Sequence, residues 1–175
     1  MPEFDPRTVA LVLAAVDTVD DAARVLASVA ELVLDAGIEL RLVDQTARAR
    51  LSRAIPRRGA LATWQRSHAV LTREQAQPDE GEPQEGAAVL VLCEVRPGLG
   101  VESVRAWAPS AVLVVGAGRT SVEGLQTAVE TFAVAGIPVT STVLVDTDRG
   151  DVSSGWPPGL DPAAAASLSE GPAPR

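Results

Sequence analysis

Residues 9–16 (VALVLAAV) form an unbroken apolar run rich in valine, and the chain changes period immediately after it. A run of this length without polar alternation fits a strand buried on both faces, as in a parallel sheet. From Val19 onward, Ala22, Val25, Leu26, Val29, Leu32 and Val33 recur at three and four. That is the apolar stripe of a helix of about five turns. Asp17, Thr18 and Asp20 suit its start, where side-chain oxygens accept orphan amide protons and negative charge meets the positive helix end. Gly37 supplies the stop. Ile38–Val43 (IELRLV) reads as a second strand and ends at Asp44. Strand, helix and strand in this order require a parallel pair joined by a right-handed crossover.

The same alternation continues. Ala47, Ala49, Leu51 and Ile55 fit a short helix before Pro56, and Leu61 to Gln75 is weakly helical. Residues 78–86 (PDEGEPQEG) are acidic and rich in proline and glycine, the composition of a mobile surface loop. Ala87–Cys93 (AAVLVLC) is a third buried strand, and Val101–Ala106 a short helix. Ala111–Val115 is a fourth strand, closed by Gly116-Ala117-Gly118. Thr120 or Ser121 caps a helix whose apolar residues are Val122, Leu125, Val129, Phe132 and Ala133. Pro138 opens a fifth strand, Val139–Val145. The expected fold class is α/β: a three-layer α/β/α sandwich around a mainly parallel five-stranded sheet. Residues 1–152 form the domain, and 153–175, rich in proline and alanine, read as a disordered tail on which Trp156 is an anchor candidate.

Composition removes several chemistries. All 15 basic residues are arginine, and the chain has neither lysine nor tyrosine. A formal net charge of −8 repels phosphate backbones and anionic membrane faces, so no nucleic-acid partner is expected. A single cysteine, Cys93, excludes an internal disulfide and a cysteine-built zinc site, and its apolar surroundings predict a buried, inert thiol. The lone His68 has no serine or cysteine that the sequence places beside it, so no catalytic triad is read. The apolar runs are too short for a bilayer span of roughly 20 residues. The start, MPEFDPRT, lacks the basic and apolar parts of a secretory signal. The expected location is cytoplasmic.

In doubly wound folds, ligands bind beyond the carboxyl ends of the strands. After the first strand stand Asp17, Thr18, Asp20 and Asp21, with no glycine and no lysine. A phosphate cradle needs both. These acids serve the helix start or form a cation or amine site. Asp44, after the second strand, is either a helix cap or a carboxylate that orders a magnesium-bound water. Glu94, after the third, stands where a metal-ordering acid would sit, unless Arg96 neutralises it. Gly118, Arg119 and Thr120, after the fourth, are the best anion-binding candidates: small residues, a helix start and an arginine fork.

In the order of these parts, residues 8–148 resemble the cytoplasmic ATPase domain of bacterial tyrosine kinases and of chain-length regulators of capsular and exopolysaccharide synthesis, which belong with the MinD/ParA-type P-loop ATPases. The segment AVLVVGAGRTSVEGLQTAVETFAVAGIPV carries most of the likeness. The resemblance places a phosphate loop after Val16, the aspartate of a second Walker motif at Asp44 and the Walker B acid at Glu94. The phosphate-loop glycines, lysine and threonine pair are absent, Gln45-Thr46 follows Asp44, and Arg96 stands close to Glu94. The family's tyrosine-rich tail has no counterpart. A domain that keeps the scaffold and lacks the triphosphate grip is expected to act by binding, with no catalytic residue, no metal and no cofactor. The expected partner is a protein: a second copy, an ATPase-competent relative or a membrane polysaccharide assembly, without direct membrane insertion. Two alternatives stand beside it. One is a small enzyme or ligand-binding domain that takes a non-nucleotide anion through Asp44, Glu94 and Arg119. The other is an α/β interaction module unrelated to ATPases.

Overall fold

The computed structural model describes residues 9–72, 86–95 and 102–147. The tail, Arg96 and all of the acidic loop except Gly86 lie outside the described residues. The chain divides into a unit Met1–Val145 and a second unit Asp146–Arg175.

Strand β1 (Val9–Val16) leads into helix α1 (Val19–Asp35), and then β2 (Leu40–Asp44), α2 (Arg50–Ala54), α3 (Ala60–Gln65) and β3 (Leu71–Thr72) follow. After these come β4 (Ala88–Glu94), α4 (Glu102–Arg105), β5 (Ala111–Gly116), α5 (Val122–Val134) and β6 (Val139–Val145). The sheet has six strands in the order β3-β2-β4-β1-β5-β6, and every pair is parallel. The additional strand, β3, is two residues long and pairs with Val43 and Asp44. So short a strand has no periodicity to read.

The all-apolar runs are strands covered on both sides. Val12, Ala14 and Val16 of β1 pack on one face with Val104, Trp107, Ala128 and Phe132. Leu13 and Ala15 pack on the other with Ala22, Leu26, Leu51 and Leu61. Helices α1, α2 and α3 thus cover one face, and α4 and α5 the other, giving the three layers expected.

On two helices the stripe the sequence suggests is covered only in part. On α1 the buried residues are Ala22, Ala23, Leu26, Ala27 and Ala30, while Leu32 is 69 % exposed. The alanines let the α1 backbone sit close on the sheet, and dense packing outweighs the larger side chain's transfer gain. On α5 only Ala128 and Phe132 are fully buried, and Val122 and Val129 are exposed. Strand β6 is an edge with Thr140, Ser141, Thr142 and Leu144 exposed, so there is less sheet for α5 to cover.

Helix α3 is too short to be stable alone, and α1 supplies its cap. Its N-cap, Gly59, has no side chain and sits at φ +108°. Glu31 of α1 fills the gap: Ala60 N–H donates to Oε1 at 2.6 Å and Leu61 N–H to Oε2 at 3.0 Å. A Cβ at position 59 would overlap that carboxylate. Glu31→Ala should lower stability by about 1–2 kcal/mol, read as a shifted denaturant midpoint with an unchanged m-value. An unshifted midpoint would remove the cap's role.

Candidate functional site

The carboxyl ends of β2, β4, β1 and β5 bring together most of the residues singled out above. Between β1 and α1 only Asp17 and Thr18 intervene. A phosphate-binding signature spans eight residues, because the backbone must fold round the anion with its amides inward. Two residues cannot do this. Asp17 occupies the left-handed region at φ 59°, which short polar side chains tolerate, and its side chain is exposed.

Thr18 is the N-cap of α1 by position, yet it makes no side-chain cap bond. It is buried between β1 and β5, and its hydroxyl donates toward the Val114 carbonyl at 3.1 Å, with the Val16 carbonyl at 3.3 Å. The expected capping by Thr18 is therefore corrected: strand carbonyls in a dry environment take the proton that a solvated cap would offer elsewhere. Its methyl group occupies the space above Gly116, where a Cβ would come within 2.6 Å of Thr18 Cγ2. The first glycine of the GAGRTS turn is thus accounted for by packing.

The acids of this corner are paired with arginines. Asp20 accepts from Arg50 at 3.0 Å, and Asp21 accepts from Arg24 at 2.8 Å and from Arg119 at 2.7 Å. Arg119, the fork of the anion-binding candidate, bridges the β5–α5 turn to α1. It is half-exposed, so the pair is worth up to about 1 kcal/mol. Thr120 ties the same two turns: its hydroxyl donates to the Val16 carbonyl at 3.1 Å and accepts from Gly116 N–H at 3.2 Å. Gly118 provides a left-handed turn at φ 67°. Ser121, and not Thr120, caps α5, accepting from Gly124 N–H at 3.0 Å.

Asp44 is 1 % exposed and bonded through both oxygens. Oδ1 accepts from Thr46 N–H at 2.9 Å and from its hydroxyl at 2.7 Å, and Oδ2 accepts from Leu51 N–H at 2.6 Å. Thr46 Oγ1 in turn accepts from Arg50 N–H at 3.1 Å. The carboxylate so ties the end of β2 to the first turn of α2. Glu94 ends β4 opposite Ala15 and is largely buried. Beside it, Cys93 is buried and desolvation pushes its thiol up to about 12. His68 stacks on Trp64, ring centroids 5.0 Å apart, away from the strand ends. Among the described residues no group of three or more His, Cys, Asp or Glu is placed to hold a metal ion, and no helix is long and apolar enough to cross a membrane.

The residues that sequence reasoning missed are Arg24, Arg50, Thr46 and Glu31. Arg50 lies 30 positions from Asp20 and Arg119 lies 98 from Asp21, separations at which no local pattern reports a pairing.

The fold is similar to that of two solved structures. One is FlhF complexed with GTP and Mg²⁺, with a TM-score of 0.52, 11 % identity, and 79 % of this chain and 56 % of that chain covered. The other is chloroplast FtsY from Physcomitrella patens, with a TM-score of 0.50, 16 % identity, and 81 % and 50 % covered. The fold is of the P-loop NTPase type. The chain spans about half the length of these two structures. No protein-family model and no curated protein matches the chain.

Proposed function

We propose that this P-loop-NTPase-type domain is a non-catalytic regulatory or scaffold domain that acts by binding a protein partner. One observation carries the reading: the connection from β1 to α1 is two residues long, without glycine or lysine. Triphosphate affinity and transition-state charge stabilisation come mainly from that loop and its lysine. The neighbouring groups support the same reading, since Asp20, Asp21 and Asp44 already hold internal partners. The pairing of Arg119 with Asp21 weighs against the alternative of an anionic metabolite gripped by that guanidinium. Within this proposal the partner system is MinD/ParA-like, linked to polysaccharide synthesis or export, and cytoplasmic. The sequence likeness around AGRTS and AGIPV supports that assignment.

Calorimetric titration with Mg²⁺-ATP and Mg²⁺-GTP is expected to give no saturation up to about 1 mM nucleotide. Micromolar affinity for either, or turnover by the pure chain, would overturn the proposal.

A further inference from the structure

The charge of the chain is unevenly placed. Residues 45–72 contain six arginines and no aspartate or glutamate; against a chain total of −8, the other residues carry −14. The six are Arg48, Arg50, Arg53, Arg57, Arg58 and Arg66: Arg50 and Arg53 on α2, the others in the turns beside α2 and α3. Arg50 is paired with Asp20. The other five are exposed, and none of them has an ion-pair partner among the described residues. Against this shoulder α1 and α2 leave a shallow groove of about 530 Å³, whose apolar lining includes Leu32, Ala54 and Pro56. Arg53 and Arg57 flank Ala54 and Pro56 in the chain. Leu32, turned outward by the alanine face of α1, lies in that groove.

We infer that the α2–α3 shoulder is a docking surface for an acidic, amphipathic segment of a partner protein. Its carboxylates meet the guanidinium forks, and an apolar side chain enters the groove beside Leu32. The inference rests on the reading of the domain as a partner-binding module and names its surface. Charge complementarity selects the occupant. A long polyanion or a membrane face extends past the shoulder and meets the −14 remainder, which repels it. A short acidic segment meets the arginines alone. Base stacking is disfavoured too, because Trp64 is packed on the core and stacked by His68.

The test uses a fluorescein-labelled peptide repeating Glu-Glu-Leu, with Gln-Gln-Leu as its uncharged counterpart, titrated with the full chain. The acidic peptide should bind, the neutral one should not, and binding should vanish at about 1 M salt, where the Debye length is about 3 Å. Combined Arg53→Glu, Arg57→Glu and Arg58→Glu should weaken it by about tenfold or more. Arg53→Gln, Arg57→Gln and Arg58→Gln, a milder change, should weaken it less, and Leu32→Asp should weaken it with all arginines intact. Arg105→Glu, an exposed arginine on α4, should leave affinity unchanged. Equal binding by the wild type and the charge-reversed chain overturns the inference. So does tighter binding of phosphatidylserine vesicles or duplex DNA through the same arginines, or self-association that the reversal abolishes. Nucleotide titration of the same samples reports separately on the non-catalytic reading: saturation there ends that reading without touching the peptide result.

Discussion

Replacing Asp44 by alanine is expected to lower stability by about 3–5 kcal/mol. The carboxylate is buried and accepts three hydrogen bonds, two of them from backbone amides, that of Thr46 just after β2 and that of Leu51 in the first turn of α2. Alanine leaves Thr46 N–H and Leu51 N–H buried without acceptors, and an unsatisfied buried donor costs about 1–3 kcal/mol. A small domain has about 5–15 kcal/mol in all, so the midpoint of thermal unfolding should fall by about 10 °C. Asp44→Asn keeps an acceptor for Thr46 but turns a donor or a poorly aligned oxygen toward Leu51, and should fall between wild type and alanine. The same melts separate the structural role from a metal-ordering one. If the carboxylate only ties β2 to α2, added Mg²⁺ leaves the wild-type midpoint in place. A midpoint that Mg²⁺ raises in wild type and not in Asp44→Asn would assign the acid to a cation.

The second large effect is alkaline. Burial pushes the Cys93 thiol from its ordinary 9.0 up to about 12. The folded state holds the neutral thiol, while the unfolded chain releases its proton above pH 9. The stability conferred by the neutral thiol is therefore complete below pH 9 and is lost as pH rises toward 12. The slope approaches about 1.4 kcal/mol per pH unit. At pH 11 the loss is about 3 kcal/mol. The chain has no lysine and no tyrosine, so Cys93 is the one side chain expected to titrate in that window, arginine staying charged. Denaturant titrations at pH 8 and pH 11 should show the wild type losing this amount and Cys93→Ala losing far less. Parallel losses in the two proteins would refute the assignment. Thiol reagents should leave Cys93 unmodified until the chain unfolds.

These expectations differ in how far they were legible in the sequence. The bounds of β1 coincide with its apolar run, because a parallel strand buried on both faces must be continuously apolar. The Ser121 cap of α5 is local, set within a few residues, and it stands where cap chemistry puts it. The face of α1 was legible except for Leu32: Ala22 and Leu26 are buried and Val25, Val29 and Val33 pack against the core, whereas hydropathy also favours Leu32, which the close contact of the alanines with the sheet leaves outside. The site divides in the same way. The absence of lysine and of phosphate-loop glycines is readable at once. That Asp21 meets Arg119, that Asp20 meets Arg50, and that Thr18 points back to the Val114 carbonyl are facts of residues far apart in the chain.

By itself, then, the sequence determined the α/β alternation, the buried strands and the chemistries for which no side chain exists, since period and composition are properties of short stretches. Tertiary structure alone decided which acids are neutralised, which helix faces remain open, and that five arginines with no ion-pair partner among the described residues share one shoulder with a groove. Those outcomes depend on distances between elements, and the order of residues along a chain does not contain them.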